Sequence, residues 1–258
     1  MTSHSDDQLW LRNFHPAPGA SVRLVCLPHA GGSAAYYFPM ARALAPDIDV
    51  LAVQYPGRQD RHTEPLITDI NVLADRIADR ITVRSAASRD DRPLALFGHS
   101  MGSLVAFEVA DRLQSRGVEL TALIVSGRRA PHLHSEEDVH ACTDDDLVAL
   151  LEELGGTASG LLADDELRQM ILPTVRGDYR AVATYRRDTP AKLTCPVLAV
   201  VGDNDPRARV DDVRGWADHT TAGFDLKVLP GGHFYLEREQ AAVLAAIRER
   251  VSPRPVTG

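Results

Sequence analysis

Two hydrophobic patterns alternate along most of the chain. Short, near-continuous apolar runs of strand length are each followed by a stretch in which apolar residues recur at helical spacing. Unbroken apolar strands are typical of sheets covered on both faces, so the alternation predicts an α/β fold with a mostly parallel central sheet flanked by helices. The predicted strands are 22–27, 49–55, 93–97, 120–125, 196–201 and 224–229, and the predicted helices are 38–44, 67–81, 103–116, 210–219 and 237–251.

The alternation stops between about residues 128 and 190. This stretch contains no convincing strand pattern and instead has helical patterns over 144–154, 164–172 and 174–185. Because the sheet pattern then resumes as though the stretch were absent, we expect one domain with a core of 1–128 and 191–258. The remainder, about 129–190, is predicted to be a helical lid whose apolar face carries Leu147, Leu150, Leu151 and Leu154.

The candidate chemistry starts where the third predicted strand ends. The sequence Gly98-His-Ser-Met-Gly102 lies between an apolar strand pattern and a helical pattern. Gly-X-Ser-X-Gly in that context predicts a nucleophile elbow, a sharp turn that exposes the serine at the top of an α/β-hydrolase sheet. The two glycines are needed because neighbouring backbone would clash with a Cβ. Ser100 is therefore the predicted nucleophile.

A serine nucleophile needs a base and an acid that orients the base. In α/β-hydrolases these follow later strands in the order acid, then histidine. Gly202-Asp-Asn-Asp205 follows the strand pattern ending at Val201, and Gly231-Gly-His233 follows the one ending at Leu229. His233 is the predicted base. Asp205 is favoured as the acid over Asp203, which is the alternative.

Two backbone N–H groups are expected to form the oxyanion hole. One is that of Met101, next to the nucleophile, and the other comes from the Gly-rich loop after the first predicted strand, where Ala30 is the chosen donor. His29 and His99 flank these positions, and both are predicted to support the loops rather than to act as bases.

Composition and net charge argue against some classes of function. The chain has 258 residues, 44% hydrophobic and 25% charged, as expected of an ordinary globular protein. Its net charge of -8 argues against binding to nucleic acid or anionic membranes. The three cysteines include no Cys-X-X-Cys pair, and the N-terminus lacks a signal-peptide pattern, which favours a reducing cytoplasm. We expect no membrane span, and a monomer is favoured.

One group of possible metal ligands lies in the predicted lid. Its spacing matches neither His-Glu-X-X-His nor a cysteine-rich site, so we expect a solvated loop without metal. Its members are His132, His134, Glu136, Glu137, Asp138 and His140.

Taken together, the motifs resemble those of the type II thioesterases, stand-alone α/β-hydrolases that accompany polyketide synthases and non-ribosomal peptide synthetases. The resemblance rests on Leu27-Pro-His-Ala-Gly-Gly-Ser33, Tyr55-Pro-Gly-Arg58, the elbow, the two later loops, Gly155-Gly156 and Arg176-Gly-Asp-Tyr179. It implies hydrolysis of acyl groups from the phosphopantetheine arm of carrier proteins, to remove aberrant units. Ser100, His233 and Asp205 would be the triad, Met101 and Ala30 the oxyanion donors, and no cofactor is implied.

Two other functions remain open. A general carboxylesterase, lipase or peptidase could use the same fold and triad. A protein of another class, a non-catalytic accessory that binds carrier proteins, would not need all three triad residues. Carrier proteins are generally acidic, as this chain is, so long-range attraction would need local basic patches; docking by apolar residues of the lid is equally open. The candidate patches are Arg58 with Arg61, Arg128 with Arg129, Arg186 with Arg187, and Arg207 with Arg209.

Overall fold

A single seven-stranded sheet forms the centre of the protein. The computed structural model describes residues 8–88, 90–133, 139–155, 162, 164–187 and 191–251. The strands are β1 (Leu11–Arg12), β2 (Val22–Leu27), β3 (Ile48–Val53), β4 (Leu94–His99), β5 (Leu120–Ser126), β6 (Val197–Gly202) and β7 (Phe224–Leu229). Their order is β1-β3-β2-β4-β5-β6-β7, with β2 to β7 parallel and β1 antiparallel to β3.

Helices cover both faces of this sheet. They are α1 (Phe38–Leu44), α2 (Ile70–Ser88), α3 (Met101–Ser115), α4 (Asp144–Leu154), α5 (Asp165–Thr184), α6 (Val210–Arg214), α7 (Tyr235–Arg238) and α8 (Gln240–Val251). α2 and α3 share one apolar core with the sheet, while α1 and α8 share a second core on the opposite face. The expected α/β-hydrolase fold is confirmed. None of the described helices has the length and apolar character needed to cross a bilayer.

The structure differs from the sequence expectations at four places, one of which is that the predicted helix 237–251 is two helices, α7 and α8. β1 was not predicted, because a two-residue edge strand is too short to show alternation. The predicted helices 164–172 and 174–185 form one helix, α5, which continues through Pro173. Proline removes one backbone hydrogen bond, and the buried neighbours Leu172 and Val175 hold the helix on both sides of it. The predicted helix 210–219 is α6 followed by a 3₁₀ turn.

Backbone packing fixes the turn between β4 and α3. A Cβ on Gly98 would lie 2.1 Å from the carbonyl oxygen of Gly102, and a Cβ on Gly102 would lie 2.0 Å from the carbonyl oxygen of Leu27. Neither obstacle is a side chain that could rotate away. Helix α3 therefore begins in direct contact with the end of β2, which places its N-terminus at the carboxyl edge of the sheet.

We expect Gly102→Ala to destabilise the protein by about 3 kcal/mol or more, or to prevent folding, because the added methyl group can be accommodated only by separating α3 from β2. Gly19→Ala is the matched control, since nothing lies within 4 Å of the Cβ it adds. Chemical unfolding of both variants measures the difference. Equal stability of the two variants would show that the turn is looser than the structure indicates.

Candidate active site

Ser100 occupies the turn between β4 and α3 in a strained backbone conformation. Its φ and ψ are 54° and −118°, rare values for a residue other than glycine. Its N–H donates to the carbonyl oxygen of Ser126 at 2.8 Å. The Ser103 hydroxyl contacts the carbonyl oxygens of Gly98 at 2.8 Å and Ser126 at 3.0 Å, which joins the ends of β4 and β5 beneath the turn. The half-buried Ser100 is thus held at the sheet edge.

His233 and Asp205 are in direct contact. His233 Nδ1 lies 3.0 Å from Oδ1 and 2.9 Å from Oδ2 of Asp205, and both residues are buried. The carboxylate also accepts the N–H of Arg207 at 2.8 Å. Among the described residues no hydrogen bond joins the Ser100 hydroxyl to His233. Contacts of this kind are often long before substrate binds. The ring of His99, the neighbour of Ser100, lies 5.0 Å from that of His233.

Asp203, the alternative acid, faces away from the histidine. It is exposed, and its Oδ1 accepts the side-chain amide of Asn204 at 2.8 Å and the N–H of Gly231 at 2.9 Å. These bonds connect the loop after β6 to the loop that carries His233. A Cβ on Gly202 would also lie 2.4 Å from the carbonyl oxygens of Gly231 and Gly232. Asp203 therefore braces the loop, whereas Asp205 contacts the imidazole.

The two expected oxyanion donors lie where the sheet meets α3. Met101 is the first residue of α3, so its N–H has no acceptor within the helix. Ala30 belongs to the loop after β2, and no acceptor for its N–H occurs among the described hydrogen bonds. The next N–H in this loop, that of Gly31, donates to Asp178 Oδ2 at 2.7 Å. In this loop, therefore, the N–H of Ala30 has no acceptor among the described hydrogen bonds, whereas the neighbouring N–H of Gly31 is already hydrogen-bonded.

Asp178 is a residue of this site that our sequence reasoning did not single out. It is 2% exposed, and it lies on α5, where it also pairs with the guanidinium of Arg58. Arg58 lies 4.9 Å from the ring of Tyr55, whose hydroxyl donates to the carbonyl oxygen of Pro28. Helix α5, the loop after β3 and the loop after β2 that carries Ala30 and Gly31 (the oxyanion loop) are therefore joined by one buried network. Its only sequence signal is the motif Arg176-Gly-Asp-Tyr179.

Two further histidines line the same edge of the sheet. His99 is fully buried, and its Nδ1 lies 2.9 Å from the hydroxyl of Ser126, which contacts the hydroxyl of Tyr235 at 2.6 Å. Burial, reinforced by the neighbouring His233 and His29, holds the pKa of His99 well below its usual range. Burial, with smaller contributions from His233 and Arg58, lowers the pKa of His29 to about 3. Both rings are therefore neutral at physiological pH.

The leucine face of α4 packs against α5. Leu147 shares a small apolar cluster with Leu162, Leu172 and Val175, and Leu150 and Leu151 lie against that cluster. Val175 in turn contacts the oxyanion loop, because a Cβ on Gly31 would lie 2.7 Å from its Cγ2. The apolar face thus reaches the site through α5 rather than directly.

The acidic and histidine-rich stretch of the predicted lid falls only in part within the described residues. His134, Glu136, Glu137 and Asp138 lie outside the described residues. His132 contacts His219, with Nδ1 and Nε2 2.8 Å apart. Within the ranges that the structure describes, no group of three or more possible metal ligands is found.

Comparison with known proteins identifies the relatives of this chain. The family model described as a thioesterase domain matches residues 22–251. Thioesterase PikA5 of Streptomyces venezuelae is 48% identical over 232 residues, covering 90% of this chain and 81% of that protein. A probable cadicidin biosynthesis thioesterase of Streptomyces griseus is 45% identical over 244 residues, covering 95% of this chain and 66% of its relative.

The similarity extends to solved structures. The type II thioesterase BorB from the borrelidin biosynthetic cluster superposes with a TM-score of 0.85 at 47% identity, covering 95% of this chain and 98% of BorB. YbtT, a type II thioesterase from the yersiniabactin pathway, superposes with a TM-score of 0.84 at 32% identity, covering 94% of this chain and 98% of YbtT.

Proposed function

Because the chain belongs to the thioesterase family, we propose that it hydrolyses acyl thioesters on the phosphopantetheine arm of carrier proteins in polyketide or non-ribosomal peptide biosynthesis. The observation that carries the proposal is the pairing of buried His233 with Asp205 at the sheet edge where the strained turn exposes Ser100. Relatives named as type II thioesterases of such pathways support the substrate class. Removal of aberrant acyl units is the role that we propose for this activity.

In the first half of the reaction Ser100 Oγ attacks the thioester carbonyl carbon and its proton passes to His233 Nε2. Asp205 holds the imidazole by its Nδ1–H, which leaves Nε2 free to accept that proton. The N–H groups of Met101 and Ala30 donate to the developing oxyanion, assisted by the partial positive charge at the N-terminus of α3. The C–S bond then breaks, and His233 returns the proton to the departing thiolate.

The second half releases the acid. Water attacks the acyl-serine carbonyl while His233 accepts its proton, and the ester bond breaks as Ser100 regains a proton from the same ring. A thiolate is a good leaving group, so this set of side chains and amides suffices for the chemistry. Neutral His29 and His99 add no charge that would oppose the imidazolium of His233.

Helices α4 and α5 complete the proposal as a lid over the acyl chain. Their shared apolar cluster lies against the oxyanion loop through Val175, so an acyl group bound at Ser100 would extend toward it. Acyl-loaded carrier proteins are the expected partners, and the cytoplasm, where they are made, is the expected location.

Two alternatives make different predictions. A carboxylesterase or lipase with the same triad would prefer oxygen esters. The relatives, which are named as thioesterases, support a preference for thioesters instead. A non-catalytic carrier-binding accessory would not require an acid aligned on the imidazole, and Asp205 contacts His233 through both carboxylate oxygens.

The proposal is tested with carrier proteins loaded with acetyl, propionyl, longer acyl or aminoacyl groups. We expect the wild-type protein to release acid from them, and Ser100→Ala to stay folded and release none, with release followed by mass spectrometry. Oxygen esters of the same acyl groups should react more slowly. Faster hydrolysis of the oxygen esters would favour a carboxylesterase, and no release from any carrier would favour an accessory protein.

Substituting each of the two aspartates in turn tests which of them belongs to the triad. Asp205→Asn should lower kcat on the order of 10⁴-fold, because an amide disturbs the tautomer and orientation of His233. Asp203→Asn, in the same loop, is the matched control and should cause a far smaller loss. Steady-state kinetics on one thioester decide the matter, and the reverse ranking would transfer the role to Asp203.

A further inference from the structure

Six arginines of the candidate basic patches fall into two groups. Three of the arginines are neutralised by carboxylates: Arg58 pairs with Asp178, Arg61 with Glu64, and Arg187 with Glu108 and Asp111. In contrast, Arg128, Arg129 and Arg186 have no carboxylate partner within the described parts of the chain. To described residues, Arg186 donates hydrogen bonds to the carbonyl oxygens of Ala183 and Tyr185.

The arginines without carboxylate partners line one cavity, together with Arg207. Its other walls include Leu104 of α3 and Tyr179 of α5. The cavity volume of about 30 Å³ exceeds the ~10–15 Å³ that one water molecule needs, so a small anionic group has room. The Nε atoms of Arg128 and Arg129 are buried without any acceptor. Unpaired buried donors of this kind are costly unless a ligand supplies an acceptor.

Four arginines and no acidic residue are among the described residues that line this cavity. Burial, with smaller contributions from the nearby Arg129 and Arg207, lowers the pKa of Arg128 to about 10. Arg129 Nη2 donates to the carbonyl oxygen of Arg207 at 3.2 Å, which holds two of the arginines side by side. Guanidinium groups clustered in this way are suited to an anion with several oxygens.

The cavity adjoins the Asp205 side of the site. Arg128 follows Gly127, where a Cβ would lie 3.4 Å from Asp205 Oδ2, and the N–H of Arg207 donates to Asp205 Oδ1. Arg186 is exposed, so the cavity opens to solvent. A carrier protein is too large to enter the site, so the charged end of its arm stays at such an opening while the flexible arm reaches Ser100.

Building on the proposed function, we propose that this arginine cavity binds the phosphate group that joins the phosphopantetheine arm to the carrier. An acyl carboxylate would instead lie close to Ser100, at the acyl end of the arm. Local positive charge at this opening would also offset the repulsion between an acidic carrier and a chain of net charge -8.

The test compares binding of phosphopantetheine with that of pantetheine, which lacks the phosphate, by calorimetry. We expect the wild-type protein to prefer phosphopantetheine, and Arg129→Gln and Arg186→Gln each to reduce that preference at least about tenfold, the loss of a charge-assisted hydrogen bond. Arg214→Gln is the matched control, because the side chain of this arginine on α6 is 63% exposed and is not among the residues that line the cavity. If the Arg129→Gln variant does not fold, the binding measured for Arg186→Gln, a substitution at an exposed position, decides the test.

Equal affinity of the wild-type protein for the two compounds would overturn the proposal, as would the same loss of preference in Arg214→Gln. A second assay compares hydrolysis of malonyl and acetyl thioesters of N-acetylcysteamine. A malonyl preference that disappears in Arg129→Gln would assign the cavity to an acyl carboxylate and also overturn the proposal. Because binding is measured without turnover, a protein that binds phosphopantetheine but hydrolyses no thioester would contradict only the proposed function.

Discussion

The position of Ser100 depends on a contact in which backbone meets backbone. Gly102 lies against the carbonyl oxygen of Leu27 and Gly98 against that of Gly102, with no space for a Cβ at either position. This contact brings the end of β2, the end of β4 and the start of α3 to one point. The loop that continues from β2 meets the start of α3 at the same point, because a Cβ on Gly102 would also lie 2.7 Å from the carbonyl oxygen of Pro28. The strained φ of Ser100 is a consequence of this packing.

A second set of contacts fixes α5 over that point. Asp178 ties the middle of the helix to the oxyanion loop and to Arg58. Just after the helix ends, Tyr185 and Arg187 bond to the buried Glu108 of α3. Burial alone would raise the pKa of Glu108, but hydrogen bonds from Tyr185, Arg187 and Arg112 lower it, so the carboxylate stays charged. Lid movement that displaced this half of α5 would have to break buried ion pairs.

The sequence was informative where a local pattern decides the structure. Apolar runs located the six long strands, and strand-to-loop transitions located Ser100, Asp205 and His233, because α/β-hydrolases carry functional residues at strand ends. It could not rank Asp203 and Asp205 firmly, since both follow β6 and only the loop conformation turns one of them toward the imidazole. Asp178 was not singled out, and the cavity arginines were identified only as separate basic pairs, because their meeting in one cavity depends on contacts between segments far apart in the chain.

The central claim is that Ser100 is an activated nucleophile, and covalent labelling tests it most directly. The protein is treated with a fluorophosphonate, digested, and the modified peptide identified by mass spectrometry. The account predicts one label, on Ser100, whose formation slows strongly in His233→Ala and is lost in Ser100→Ala. Labelling at another serine, or an unchanged rate without His233, would contradict it.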